Sequence, residues 1–360
     1  MKLGLPLSTS IHIPYLPFLS RVLHVGRGDR FTVVTLTVLS FFVLFHLSIA
    51  SEPADVQEQT KELFGDPGFA NGFQIQNHST VYGVLQLPFL EGNDFQKDDV
   101  APVWKLAQHN SKFDLTKSKI NLSANLVEAV TLGQRVALEK NDRGEFTLFL
   151  GVNAQYEYDS PRKNDEPWIH LLLVRDFQPR ERVNFGNLES LVFSCDARVC
   201  DWKRLMCDDE FDSGLHTTQA SFYFIILNDD PNSPDYRDYI WFGISFFDAR
   251  YEIQSQYVEL DGDPRTIGTG KLIYRLGEQK TIDDVMSGVN PFSKKWTHVE
   301  IDLVKYVPDM LKTAKERGIL THTSLEQLKL AHFNFGWETP GTFSSSLAIK
   351  NLRLNASTRK

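Results

Sequence analysis

Chemistry in this chain would have to come from histidines, tyrosines, amides and carboxylates set at even spacing in aromatic-rich runs. His216, Gln219 and Tyr223 fall in HTTQASFYF, Trp241 in YIWFGISFF, Glu300 and Asp302 in THVEIDL, and His332, Asn334 and Glu338 in HFNFGWE. Residues two apart in a strand share a face. Two chemistries suit such sets. Glycoside hydrolysis uses two carboxyl groups flanking the scissile bond, which Glu300 and Asp302, joined by Glu338, would supply. β-Elimination on a uronate uses a base and a group that neutralises the sugar carboxylate. His216, Tyr223 and His332 are candidate bases, with Gln219 and Asn334 to hold the carboxylate, and imidazole suits proton transfer because its ordinary pKa lies near neutrality. Each has a plainer reading: an acidic sandwich offers carboxylate pairs by chance, and His216, following DSGL, is placed to cap a turn.

Other signatures are absent. There is no GxSxG, HExxH, P-loop or GxGxxG, so serine hydrolase, zincin, nucleotidase and dinucleotide chemistry lack support. The turns NDDPNSPD (Asn228 to Asp235) and DGDP (Asp261 to Pro264) offer oxygen ligands for a structural calcium, although Asp, Asn, Pro and Gly are also the ordinary composition of turns. No other cofactor is implied. Cys195, Cys200 and Cys207 lie close together; in an oxidising compartment they give one local disulfide and one spare thiol, while a zinc site lacks a nearby histidine and the CxxC spacing. The segment PVWKLAQHNSK (Pro102 to Lys112) reads either as a groove edge or as a buried Trp104 followed by a turn.

The elements that must position these residues are strands. Phe146 to Val152, Trp168 to Arg175, Ser221 to Leu227, Tyr239 to Phe247, Lys271 to Leu276, Thr297 to Leu303, Leu328 to Phe335 and Ser346 to Leu354 are rich in aromatic and β-branched residues, and several are bounded by turn clusters such as NDRG and ETPG. Many short strands with little helix between them predict an all-β, two-sheet antiparallel sandwich or jelly roll. Two helices are expected as a short insertion near 305–330. VPDMLKTAKERG carries Pro308 at its start and Gly318 at its end, and THTSLEQLKL carries Thr323 as N-cap with Glu326 three residues on.

Alternation divides each strand into a core set and an outer set. Ile240, Phe242, Ile244 and Phe246 face one way and Tyr239, Trp241, Gly243 and Ser245 the other; Phe222, Phe224 and Ile226 oppose Thr217, Gln219, Ser221 and Tyr223. Likewise Val299, Ile301 and Leu303 oppose His298, Glu300 and Asp302, and Phe333 and Phe335 oppose His332, Asn334 and Glu338. If these strands share a sheet, its outer face collects the residues that bind sugars. Flat rings stack on pyranose C–H faces, and amides, carboxylates and imidazoles bond the hydroxyls. The same set also suits an ordinary solvated face.

At HTTQASFYFIILNDDPNSPDYRDYIWFGISFFDAR (His216 to Arg250) and FNFGWETPGTFSSSLAIKNLRL (Phe333 to Leu354), the chain resembles secreted jelly-roll domains of the concanavalin A-like and galactose-binding-like kinds. The resemblance implies a sandwich with a concave, glycan-facing sheet. The ExDxxE signature of the β-glucanase relatives is missing, and a fold likeness does not establish an activity.

An address precedes the domain. Val33 to Ala50 is apolar almost throughout and follows Arg21, Arg27 and Arg30, with Ser48 and Ala50 as small residues before Ser51. That order is a signal peptide, or an N-terminal anchor if it is not cut. The expected organisation is leader 1–50, linker 51–70 and a single β-sandwich domain 71–356, in a protein that is secreted, periplasmic or on the cell surface, or membrane-anchored by residues 33–50. Without residues 1–50, which hold four of the 38 basic and one of the 46 acidic groups, the charge is 34 minus 45, or −11, which argues against a nucleic-acid partner. The sequence therefore predicts an exported binder of a poly- or oligosaccharide through Gln219, Tyr223, Trp241, His332 and Asn334. A glycan-cleaving enzyme on the same fold and a non-catalytic cell-envelope interaction protein are the alternatives.

Overall fold

The computed structural model describes residues 60–87, 101–252, 254–262, 268–277, 284–287 and 290–359. The leader and anchor reading, residues 1–50, lies outside them. The expected architecture is the observed one: two nine-stranded sheets face each other across one apolar core.

The first sheet runs in the order β15 (Met286–Ser287), β16 (Thr297–Asp302), β10 (Leu188–Arg204), β18 (Phe343–Thr358), β8 (Phe146–Asn153), β7 (Gln134–Lys140), β6 (Leu126–Val130) and β5 (Lys119–Leu122), with β1 (Lys61–Glu62) paired to β18. The second runs β13 (Tyr257–Leu260), β14 (Leu272–Leu276), β12 (Tyr239–Asp248), β11 (Gln219–Asn228), β17 (Leu328–Thr339), β9 (Ile169–Asp176), β4 (Trp104–Ala107), β2 (Phe73–Asn77) and β3 (Thr80–Leu85). From β8 to β11, successive strands alternate between the sheets. Pairing is antiparallel except at β12–β14 and β2–β4, which are parallel.

The core fills by alternation. Phe222, Phe224, Phe242, Phe333, Phe335 and Trp337 project from the second sheet and are fully buried. Phe222 and Phe335 stack at 3.9 Å between centroids. The Trp337 indole N–H donates to the Leu150 carbonyl of the facing sheet at 3.0 Å, so this large core side chain also leaves no polar atom unpaired.

Two local expectations change and one holds. The chain is already in the domain before residue 71: Lys61 and Glu62 pair with Ala356 and Asn355, and Phe64 and Phe69 are buried. An apolar pair inside a polar stretch was enough to anchor it. The first expected helix is α1 (Val307–Glu316), which packs Val307, Met310, Leu311 and Ala314 into the main core and is followed by Gly318 at φ 77°. The second is only a 3₁₀ turn, Leu325–Gln327, capped by Ser324 with Gln327 rather than by Thr323 with Glu326. Thr323 instead receives the Asn228 side-chain amide at 2.7 Å and donates to Asp235 at 2.9 Å. No helix of the described residues is long and apolar enough to cross a membrane.

Candidate functional site

The outer face of the second sheet is set by register. β11 pairs with β12 on one side and β17 on the other, so Gln219 lies opposite Glu338, Tyr223 opposite both Asn334 and Gly243, and Trp241 opposite Ile225, which faces His332. β9 adds His170 opposite Glu338 and Asp176 opposite His332. β14 adds Arg275 opposite Gly243. The five expected ligand-binding residues thus stand on one face of three adjacent strands.

That face is shielded from solvent, in part by the chain itself, since Ser245 donates to the buried Gln254 side chain. Gln219 is 6% exposed, Asn334 6%, Ser221 3%, Ser245 4% and Tyr223 8%, although all point away from the core. Trp241 keeps a partly open edge, with Tyr223, Tyr239 and His332 disposed edge-to-face around it at 5.7–6.0 Å. Its indole N–H donates to Thr269 Oγ1 at 3.3 Å, and Thr269 in turn donates to Asp261 at 2.7 Å. Gly243 makes room for the Tyr223 ring: a Cβ there would lie 2.5 Å from that ring.

Two polar centres flank this floor. At one end Glu338 accepts the Gln219 amide N–H at 2.8 Å and lies 3.6 Å from His170 Nε2. Burial pushes its carboxyl up, but His170, the Gln219 bond and the Arg275 charge outweigh burial and hold it below its usual range. Burial, reinforced by the Glu338 charge, pushes the Tyr223 phenol up to about 12. At the other end His332 Nδ1–H donates to Asp176 at 2.6 Å and its Nε2 accepts the Asn334 amide at 3.1 Å. Asp176 also takes Lys105 at 2.6 Å. Burial raises that carboxyl too, yet His332 and Lys105 together carry it far below its usual range.

A file of imidazoles leads away from Glu338. His170 packs edge-to-face on His109 at 5.6 Å, and His109 stacks on His78 at 5.1 Å. Burial, then the neighbouring His170 and His78, lower the His109 pKa from 6.5 to about 3.

The candidate catalytic residues divide. Tyr223 and His332 belong to the recessed face, but Glu300, Asp302 and His216 do not. Glu300 and Asp302 sit on β16 in the first sheet, paired with β10. Glu300 is exposed and 3.8 Å from His298, while Asp302 accepts the Leu191 and Val304 backbone N–H groups. Their outward alternation is as expected, but the condition that their strand shares a sheet with β11, β12 and β17 is not met, because strand faces do not reveal which sheet a strand joins. His216 is 3% exposed, with Nδ1 accepting the Asp212 N–H at 3.0 Å and Nε2–H donating to the Arg162 carbonyl at 2.8 Å. Both ring nitrogens are spent on backbone groups, one in its own turn and one in the loop at Arg162.

Trp104 is buried, its indole N–H donating to the Asp66 carbonyl at 2.6 Å, so the tryptophan is core, while Lys105 and His109 of the same segment reach the edge of the site. The cysteines are all free, Cys195 buried, Cys200 half-buried and Cys207 exposed. In NDDPNSPD the carboxylates are engaged: Asp229 by Arg182 and Lys329, Asp230 by Gln327, Asp235 by Thr323. Among the described residues no cluster of three or more His, Cys, Asp or Glu is arranged for a metal ion. Sequence reading missed His170, Arg275, Asp176 and Lys105. Their signal was present, since Arg275 alternates with Leu272, Tyr274 and Leu276, but a lone polar residue between apolar ones is also how any solvated face looks.

No family model matches the chain, and no curated protein does. Solved structures similar to it include a family 12 xyloglucanase from Bacillus licheniformis, 8% identical with a TM-score of 0.37 over 66% of this chain and 97% of that one. An endoglucanase from Rhodothermus marinus is 11% identical with a TM-score of 0.34 over 68% and 97%. A family 11 xylanase from Neocallimastix patriciarum is 10% identical with a TM-score of 0.34 over 67% and 95%. Likenesses this distant say nothing of the present chain's chemistry, which rests on its own side chains.

Proposed function

We propose that the recessed outer face of the second sheet binds a poly- or oligosaccharide. The observation that supports it is the combination of burial and polarity. A solvated sheet face keeps its polar residues exposed, whereas Gln219, Ser221, Asn334 and Ser245 are each below 9% exposed while pointing outward. Such a floor, flanked by the partly open Trp241, suits a ring with apolar C–H faces and hydroxyl edges.

Binding is favoured over hydrolysis. A glycosidase needs two carboxyl groups about 5–9.5 Å apart. Glu338 and Asp176 align with His170 and His332, six residues apart in register, which puts them roughly 20 Å from one another at about 3.3 Å per residue. Asp248, across Gln219 from Glu338, is 1% exposed and committed to Arg250 at 2.7 Å and Thr217 at 2.7 Å. The envelope-interaction alternative expects this face to be covered by the late helices or by a partner; α1 joins the main core, which removes the first of these covers. Export of the domain by residues 33–50 belongs to the same proposal, and N-terminal sequencing of the mature protein tests it.

A glycan array together with a polysaccharide-degradation screen tests the main reading. Binding without new reducing or unsaturated ends is the expected result. Release of such ends would replace binding by cleavage, and a clean negative on folded protein would remove the carbohydrate reading.

A further inference from the structure

Arg275 is the one guanidinium that the described strands of the second sheet place beside both Tyr223 and Glu338. It is fixed from one side by Tyr257, whose ring centroid lies 5.1 Å from the guanidinium carbon. Its stem lies against the strand at Gly243, where a Cβ would come within 3.2 Å of Arg275 Cγ. Its Nε is shut away from water and has no hydrogen-bond partner.

A buried donor without an acceptor is costly to leave in place. No hydrogen bond joins it to Glu338, whose carboxylate takes the Gln219 amide and stands beside His170. Tyr223 takes an Arg275 side-chain hydrogen bond on its phenol oxygen, but that contact leaves Nε unpaired. One guanidinium donor therefore remains unpaired on this floor.

We infer that the ligand supplies the acceptor, and that it is an anionic glycan whose carboxylate or sulfate oxygens are received by the Arg275 fork. A planar guanidinium matches such groups with paired hydrogen bonds, which a hydroxyl does not reproduce. The inference rests on the glycan reading above and adds the charge of the sugar to it.

The test measures affinity of the full chain for matched pairs: oligogalacturonate and oligomannuronate against their carboxyl-reduced counterparts, and a sulfated galactan against its desulfated form. The anionic member of at least one pair should bind about tenfold tighter or more, and the pair that does so separates uronate from sulfate. Arg275→Gln should erase that preference while binding of the neutral member persists. Arg275→Lys, which keeps the charge and loses the fork, should fall between. Equal binding within every pair, or a preference that survives Arg275→Gln, would overturn the inference and leave the glycan reading standing. If Arg275→Gln does not fold by thermal melt, the wild-type pairs and Arg275→Lys decide. Failure of every glycan, charged or neutral, to bind folded protein would sink both.

Discussion

The Gln219 amide donates to Glu338 Oε2 at 2.8 Å across neighbouring strands, tying a side chain from the start of one aromatic-rich run to a carboxylate 119 residues later. The pair holds the polar end of the recessed face, and its removal has a definite pH signature.

Gln219→Leu leaves a buried carboxylate oxygen without its donor and should cost about 1–3 kcal/mol at neutral pH. The Glu338 value is depressed in the folded protein, so its stabilisation is present above the ordinary carboxylate range and is lost as pH falls through that lowered value. The deficit of the variant should therefore shrink below about pH 4. Urea melts at several pH values check this; a deficit independent of pH would refute the linkage.

Trp241→Ala and Trp337→Ala should part company. Trp337 is fully buried and bonded to Leu150, so its loss should cost about 3–5 kcal/mol. Trp241 is partly open and held at its rim by Thr269; its truncation should cost about 1 kcal/mol while removing most glycan affinity. Denaturation and binding measured side by side distinguish the two.

Acid should weaken the domain through His109. Its folded value lies near 3 against an ordinary 6.5, so the unfolded chain takes up the proton first. Stability is full above about pH 6.5 and falls as pH drops from there toward 3. His109→Asn, which keeps an acceptor for the His78 N–H bonded at 2.8 Å, should show a smaller fall in Tm between those limits.

His216→Ala should destabilise by about 2–4 kcal/mol, because the Asp212 N–H and the Arg162 carbonyl both lose a buried partner. Glycan affinity at moderate temperature should not change. A specific loss of binding with an unchanged Tm would return His216 to the site.

The thiols should report their burial. Alkylation under native conditions should label Cys207 first and Cys200 slowly, with Cys195 labelled only on unfolding, and a reductant should leave Tm unchanged since no disulfide joins them.

Much of this was legible from alternation alone. The outward sets of β11, β12 and β17 could be written down as Gln219 and Tyr223, Trp241, and His332 and Asn334, because a period of two places side chains whatever the neighbours are. Long β10 is not legible: LESLVFSCDARVCDWKR mixes Cys200 and charges into its outer face, sets Cys195 among its core residues, and carries register shifts along its pairing with β18.

The sequence by itself determined strands, faces and the apolar code of a two-sheet core, because hydrophobic periodicity is a local property of the chain. Only the tertiary structure decided which strands share a sheet. That choice brought Glu338 and Arg275 to Tyr223 and His170 to Glu338, sent Glu300 and Asp302 to the opposite sheet, and closed His216 among loop backbone groups. The physical reason is that pairing between distant strands is settled by packing across the core and by backbone ladders, and neither leaves a mark at the positions whose outward side chains make the site.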